Sequence, residues 1–425
     1  MKLLPYWRDS APAFASAAPG KVAGSYDVAV IGAGFTGLGA ARRLAMAGRS
    51  VVVLEAETVG FGASGRNGGH LNNGLAHSFL HAREAFGPEK AAALWRAFDA
   101  GIETIERIIA EEGIDCAFRR SGKLKLASKP AHYESLARNF EAIHRSVDPD
   151  TAMLTRADLA GEVLSDSFHG GMLQRRSAMM HMGRFVAGLG EAAVRRGAVV
   201  FERAPVTERR IAGDGLELIT PRGRVRAAKV LLATGAYTTD AFPWFRRRIV
   251  PVGSFLIATR PLTEAEIAAT VPGDRTYVTS LNVGNYFRLT PDNRLIWGGR
   301  ARFSARCDQS SDARSGEILK ASLRAIFPQL GDVRVDYCWG GLVDMTRDRF
   351  PRAGEADGVH FAMGYSGHGA QIATHMGEIM ADLMTGRANR NPWADLPWPA
   401  VPGHFGRPWF LPLVGAYYKT LDLIH

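Results

Sequence analysis

The apolar positions between residues 26 and 55 follow a strand–turn–helix–strand order. Residues 28–31 are a continuous apolar run, a helix-like segment follows Gly37, and residues 51–54 are apolar again, ending at Glu55. Residues 89–112 place Leu94, Phe98, Ile102, Ile105, Ile108 and Ile109 at helical spacing, with Pro88 to start the helix and Gly113 to end it. Short strands are expected near 114–127, and a charged helix near 130–146. Helices are read at 152–159 and 182–197, with Gly197 as C-cap. Strands are read at 198–202, in 206–220 around a Gly-Asp-Gly turn, and at 225–233. Residues 249–340 are β-rich, with alternation in 277–289 and 295–299 joined by a Pro-Asp-Asn turn. A helix at 315–326 follows, and then a strand, glycine turn and helix over 359–381.

The fold class expected is α/β. A discontinuous, Rossmann-like nucleotide domain (25–113, 150–248 and 340–390) carries an inserted α+β substrate domain (114–149 and 249–339) built on a mainly antiparallel sheet. Residues 1–24 read as an extended arm, and 391–425 as a wrapping tail. A chain of 425 residues exceeds what one hydrophobic core serves.

The first turn, Gly32-Ala33-Gly34-Phe35-Thr36-Gly37, suits a dinucleotide. Its glycines permit a tight turn, close approach to a pyrophosphate and close helix–strand packing. The helix N-terminus offers free amides to phosphate. Glu55, 18 residues after Gly37, stands where an acid accepts hydrogen bonds from a ribose diol. This stretch alone leaves FAD and NAD both open.

Three further glycine clusters change the picture. Residues 60–70 read GFGASGRNGGH. Backbone amides of Gly62, Ala63, Ser64, Asn67, Gly68 and Gly69 can hold phosphate or the edge of an isoalloxazine ring, and Arg66 can pair with a phosphate. A strand ends in Ala233-Thr234-Gly235, small enough for backbone to pass over a nucleotide. Residues 364–371, GYSGHGAQ, open a helix, and such an N-terminus is a good anion site. A plain NAD enzyme would not need all of these.

Composition narrows the class only a little. The net charge of +10 raises the question of nucleic acid, but the basic residues are dispersed and the densest cluster is Arg246-Arg247-Arg248. Cys116, Cys307 and Cys338 fit neither a metal site nor a disulfide framework, so free thiols, no metal and the cytosol are expected. The N-terminus has no apolar signal-peptide core of about 7–15 residues. No window reaches the ~18 apolar residues of a membrane span.

The four glycine blocks, with LLATGAY at 231–237 and WGGLVDMTRDRFP at 339–351, resemble the D-amino-acid-oxidase superfamily of FAD-dependent oxidoreductases. The likeness is nearest to the γ-glutamylputrescine oxidase branch; sarcosine and glycine oxidases are more distant. The resemblance implies FAD, held without a covalent bond, across the first domain. It implies oxidation of an amine or amino acid at the carbon next to nitrogen, giving an imine that water hydrolyses. A γ-glutamylated polyamine is one candidate substrate, and the acceptor (oxygen or quinone) is open. It adds Ala56, Val206, Gly340, Gly364, Ser366, Gly367, Gly369 and Gln371 to the cofactor contacts.

Departures limit the likeness. Gln371 stands where sarcosine-oxidase relatives carry a carboxylate-binding lysine. Ile296 stands where they carry a lysine that promotes reaction with oxygen. Arg66 stands near the position of a histidine that attaches flavin in some relatives. The candidates for substrate contact are His70, Tyr286, Arg300, Tyr365 and His368, with Trp339 as a further wall and His368 also near the flavin. Tyr286 and Arg288 share one strand face, as do Arg300 and Arg302. Three rivals remain: a tRNA-modifying oxidoreductase of the same fold, an NAD-dependent dehydrogenase, and a flavin-binding protein without turnover.

Overall fold

The parallel strands at the centre of the molecule are buried on both faces, which is why they are continuously apolar. In the computed structural model, which describes residues 1–304, 313–387 and 390–424, Val28, Val30, Val51 and Val53 enter one hydrophobic cluster. Their neighbours Ala29, Ile31, Val52 and Leu54 enter another on the opposite face. The first sheet runs Arg352–Ala356, Val359–Met363, Gly223–Leu232, Ser25–Ile31, Val51–Leu54, Val199–Phe201. All its neighbours are parallel except the first pair, and a hairpin of Glu208–Ala212 and Gly215–Thr220 adds to Gly223–Leu232.

The second sheet has eight strands in the order Val335–Met345, Val250–Pro261, Arg294–Arg302, Tyr286–Leu289, Thr276–Thr279, Lys123–Leu126, Gly170–Gln174, Ala152–Thr155. One contact, between Thr276–Thr279 and Lys123–Leu126, is parallel; the rest are antiparallel. One face of this sheet packs Phe287, Trp297 and Tyr277 as a ring stack against Leu319, Leu323 and Phe327, on and just beyond the helix Ala313–Ile326. The other face turns toward the first sheet.

The helices that close the site lie on the first sheet. Pro88–Glu112 ends at Gly113 in the left-handed conformation, as its pattern predicts. Phe35–Met46 and Ala373–Met384 approach so closely that a Cβ on Gly377 would sit 2.2 Å from the Thr36 carbonyl oxygen. Fully buried Arg42 ties them to Pro88–Glu112, donating to Glu112 at 2.7 Å and to Glu378 at 3.4 Å. This contact sets the late glycine turn beside the first one.

Three elements differ from expectation. Residues 152–155 form an edge strand, not a helix, followed by a 3-10 turn at Ala157–Gly161. Four half-exposed residues carry too little periodicity to reveal the pairing that makes them a strand. That strand and Gly170–Gln174 pair into the second sheet, although the nucleotide segment was expected to run from 150. The alternation over 277–289 is broken into two strands by the loop 280–285. The N-terminal arm contains a helical turn, Tyr6–Asp9, whose fully buried Trp7 donates from Nε1 to the Asn67 carbonyl at 2.6 Å. Cys116 and Cys338 are buried and form no disulfide; Cys307 lies outside the described residues. Among the described residues no helix is long and apolar enough to cross a membrane, and no group of acidic, histidine or cysteine side chains forms a metal site.

Candidate active site

A cavity of about 680 Å³ opens between the C-terminal ends of the parallel strands and the inward face of the second sheet. The first turn forms its floor. Gly32 has φ +103°, and a Cβ on Gly37 would lie 1.9 Å from the Gly32 carbonyl oxygen, so this turn tolerates no larger residue. No side chain caps the helix Phe35–Met46 at Gly34. Ser64 Oγ accepts the Phe35 amide at 2.9 Å, and the next amides face outward as a helix N-terminus does.

Glu55 lines the cavity at the end of its strand, as the spacing predicts. Its carboxylate accepts the Ala33 amide at 2.7 Å and the Glu57 amide at 2.9 Å. Burial raises its pKa, and these two amides oppose the rise. A carboxylate has about four acceptor sites, so two remain for a diol. At the other end Gln371 is buried with no acceptor for Nε2, although it lines the cavity. An oxygen-rich guest is what such a donor lacks. Open amides, a fixed acid with spare acceptor sites and an orphaned amide donor fit FAD.

Gly32, Gly34, Phe35, Thr36, Ala56, Gly62, Ala63, Ser64, Arg66, Asn67 and Gly68 all line this cavity. So do Val206, Thr234, Gly235, Gly367 and Gly369. Gly37, Gly69, Gly340, Gly364 and Ser366 do not. They shape it from behind: Gly69 lies under the Arg288 guanidinium, Gly340 offers its carbonyl to Arg66 Nη1 at 2.7 Å, and Gly364 packs on Thr346. Ser366 holds a left-handed φ of +51° and accepts the Thr346 amide at 3.1 Å. Arg66 also donates from Nε to the Phe61 carbonyl at 2.7 Å, so two main-chain carbonyls already engage the guanidinium assigned to phosphate. It braces the loop 60–70 against the strand Val335–Met345.

Of the substrate candidates, His70, Tyr286, Tyr365 and His368 converge on the cavity. His70 Nε2–H donates to the Phe287 carbonyl at 3.2 Å, which leaves Nδ1 a bare acceptor with no partner. Burial, reinforced by Arg288, pulls the His70 pKa down to about 3. His368 is held down to about 3 by burial and by Arg349, Lys123 and Lys125. Both imidazoles are therefore neutral near pH 7. The Tyr286 ring meets His70 edge-on at 5.5 Å, and its hydroxyl lies 3.4 Å from Ser254 Oγ. The Tyr365 hydroxyl is 2.6 Å from Thr36 Oγ1, tying the late turn to the first one, and burial raises its pKa far above the usual phenol value.

Arg300 is not in the cavity. Its Nε donates to Ser315 Oγ at 2.9 Å on the helix behind the sheet, and Arg302 reaches the same hydroxyl at 3.2 Å. The cause is a bulge: Phe255 pairs with Arg300 but Leu256 pairs with Gly298, leaving Gly299 unpaired at φ +149°. One extra residue reverses the alternation, so the face expected for Arg300 is taken by Gly298 against Tyr286. Arg288 does share the Tyr286 face, but it is buried, donating to the Gly68 carbonyl at 3.1 Å and the Met180 carbonyl at 2.8 Å. Trp339 is a core residue; its Nε1 donates to the Arg66 carbonyl at 2.7 Å.

Tyr237 and Asp344 are among the lining residues not singled out from sequence. Tyr237 packs against Gly62, and Asp344 accepts the Gly364 amide at 2.7 Å. Burial lifts Asp344 to about 6, against the pull of four backbone hydrogen bonds around the late turn. Both lie within the blocks 231–237 and 339–351, which was the available signal.

A parallel sheet with a glycine turn at its strand ends, an acid one strand over and a second sheet roofing the cavity defines a dinucleotide-binding oxidoreductase. The family model "FAD dependent oxidoreductase" (DAO) matches residues 27–383, and the chain belongs to that family of FAD-dependent enzymes. It is 34% identical over 371 residues to the probable oxidoreductase OrdL of Haemophilus influenzae, covering 86% of this chain and 84% of that protein. It is 33% identical over 400 residues to the gamma-glutamylputrescine oxidoreductase of Escherichia coli, covering 93% and 92%. Its fold is that of the glycine oxidase of Geobacillus kaustophilus, with a TM-score of 0.73 at 23% identity over 87% of this chain and 98% of that one.

Proposed function

We propose that the protein oxidises an amine at the carbon next to nitrogen, giving an imine that hydrolyses, with a γ-glutamylated polyamine as the candidate substrate. The observation that carries this reading is the continuity of one cavity. It runs from the first glycine turn to a sheet face where Tyr286, His70 and His368 meet. Bound FAD supplies a two-electron acceptor for hydride. The chain supplies orientation. His70 Nδ1, an acceptor with no partner of its own, takes an N–H of the amine and holds the carbon in line. The Tyr286 ring walls the substrate, and Gln371 donates to an oxygen on the cofactor side. Hydride loss requires the uncharged amine; burial and the neighbouring cations that keep both imidazoles neutral disfavour an ammonium there in the same way, its proton leaving to solvent.

The E. coli relative named for γ-glutamylputrescine supports the substrate class. On this reading the segments 25–113, 175–248 and 340–390 hold the cofactor, while 156–169 pack with the core of the second sheet. Residues 114–149 and 249–339, with strands Ala152–Thr155 and Gly170–Gln174, form the substrate wall. The buried thiols of Cys116 and Cys338 support a cytosolic location.

The test is anaerobic mixing of the purified holoenzyme with γ-glutamylputrescine, putrescine, sarcosine and glycine, followed by the visible flavin band. Bleaching by the glutamylated amine is expected. A flavin that no amine reduces would refute the reading. Admitting oxygen or a quinone afterwards identifies the acceptor.

A further inference from the structure

The strand Lys123–Leu126 alternates strictly: Leu124 and Leu126 enter the core behind the second sheet, and Lys123 and Lys125 emerge on the opposite face. Lys125 is the register partner of Val278, and Val278 that of Tyr286; Val278 and Tyr286 both line the cavity. Lys125 therefore stands on the same sheet face as these two lining residues, two strands away from Tyr286, although it is not itself part of the cavity lining. The two lysines differ in what surrounds them. Lys123 Nζ donates to the Asn73 carbonyl at 2.7 Å, and Asp99 and Asp148 lie near enough to favour its charge. Among the described residues no carboxylate pairs with Lys125, and the charged group that acts on it is Arg349, another cation.

Arg349 follows the strand Val335–Met345 in a left-handed conformation, φ +59°. Its Nε is buried with no acceptor, and among the described residues it too has no acid partner. Its charge, with those of Lys123 and Lys125, also bears on His368 at the late turn, and no acid opposes them there. Two like charges acting on each other in a partly desolvated site repel, and among the described residues neither has a carboxylate counter-charge. A donor fork beside an ammonium is the arrangement that binds a carboxylate.

We infer that Lys125 and Arg349 form an anion subsite that receives a carboxylate of the substrate, remote from the amine that is oxidised. The inference rests on the proposed amine substrate and deepens it. Two inter-strand spacings of about 4.8 Å separate Lys125 from Tyr286. An acid at one end and an amine at the other must then be separated by several bonds, which excludes glycine and sarcosine and fits a chain acylated by a dicarboxylic acid. It also accounts for Gln371: no cation is needed at the late turn when the carboxylate lies elsewhere.

The test uses full-length holoenzyme and two measurements. Calorimetric titration with glutarate reports the subsite without turnover. Lys125→Met and Arg349→Met should each weaken glutarate by about tenfold or more, as expected for a lost hydrogen bond to a charged group. Anaerobic flavin reduction by N-succinylputrescine and by its uncharged counterpart N-butanoylputrescine reports the role in catalysis. The acidic amine should bind about tenfold more tightly in the wild type, and this preference should vanish in both variants while the limiting rate holds within about twofold. Lys125→Met should also keep or raise the melting temperature of the ligand-free protein, because it removes an unpaired charge. Wild-type glutarate binding that is absent, or equal in the variants, overturns the subsite. So does equal affinity for the two amines, or a melting temperature lowered by Lys125→Met. If glutarate binding behaves as expected and no amine reduces the flavin, the subsite stands and the proposed oxidation fails.

Discussion

The two ends of the cavity are built from different materials. The nucleotide end is main chain: a glycine turn, a helix N-terminus and a single acid, all within residues 32–55. The opposite end is side chains: His70, Tyr286 and His368 arrive from three separate segments, and the charges of Lys125 and Arg349 act on it from two more. The nucleotide end recognises what every dinucleotide shares, and main-chain donors do that with few choices of residue. The other end must recognise one substrate among many, and only side chains vary enough to do it.

The comparison breaks first if the nucleotide end tolerates a side chain. Gly37→Val drives a methyl into the Gly32 carbonyl, already 1.9 Å from the position of a Cβ. It should leave almost no flavin on the purified protein, read as the flavin-to-protein absorbance ratio. Normal flavin content would show that the turn does not carry the cofactor.

Acid is the next lever. Burial depresses His70 and His368 to about 3 and His77, His181 and His375 to about 4. Their unfolded-chain value is near 6.5, so below that pH the unfolded state binds protons that the folded state refuses. Each such histidine removes up to ~1.4 kcal/mol of stability per pH unit until its folded value is reached. Asp99 and Asp344, raised to about 6, act oppositely between about 6 and 3.8. Five groups outweigh two, so the melting temperature should fall as pH drops from 7 to 5. An unchanged or rising value would mean that the imidazoles are solvated.

At the substrate end, His70→Leu should lower the rate of anaerobic flavin reduction about hundredfold, the scale of a lost proton-handling or orienting group. Flavin content should stay normal. Equal loss of both would make His70 a structural residue. Glu55→Gln should do the reverse: FAD affinity about tenfold weaker after reconstitution, from the loss of charge in its hydrogen bonds, with the reduction rate at saturating FAD unchanged. The smallest effect is expected from Arg300→Ala, within about twofold on every amine, since the guanidinium bonds Ser315 behind the sheet. A large effect on an acidic substrate would restore Arg300 to the site.

Legibility followed the same division. The first turn, Glu55, the loop 60–70 and the late turn were all read from residue types, because glycine spacing and a terminal acid report local backbone geometry. The helix Pro88–Glu112 was equally plain, through its long apolar stripe and its Pro and Gly ends. Arg300 was misplaced because a bulge at Gly299 reverses the strand's alternation, and no local pattern announces it. The strand Ala152–Thr155 was read as a helix because its partner lies across the sheet and its own four residues carry no period. Asp344 and Tyr237 sat inside recognised blocks, yet their contacts with the late turn and with Gly62 exist only after folding.

The sequence by itself determined that this chain binds a dinucleotide, and its resemblance to a known family named FAD. Conformations permitted to glycine and the spacing of an acid from a turn are properties of short segments, and they survive without knowledge of the fold. Only the tertiary structure decided what faces the reacting end. The alternation Lys123-Leu124-Lys125-Leu126 shows that two lysines share a face, but not which face. That follows from a parallel pairing with Thr276–Thr279, about 150 residues away, which sets Lys125 beside Val278. The action of the Lys125 and Arg349 charges on His368 likewise depends on long-range packing, where side chains distant in sequence are brought near by the burial of other residues.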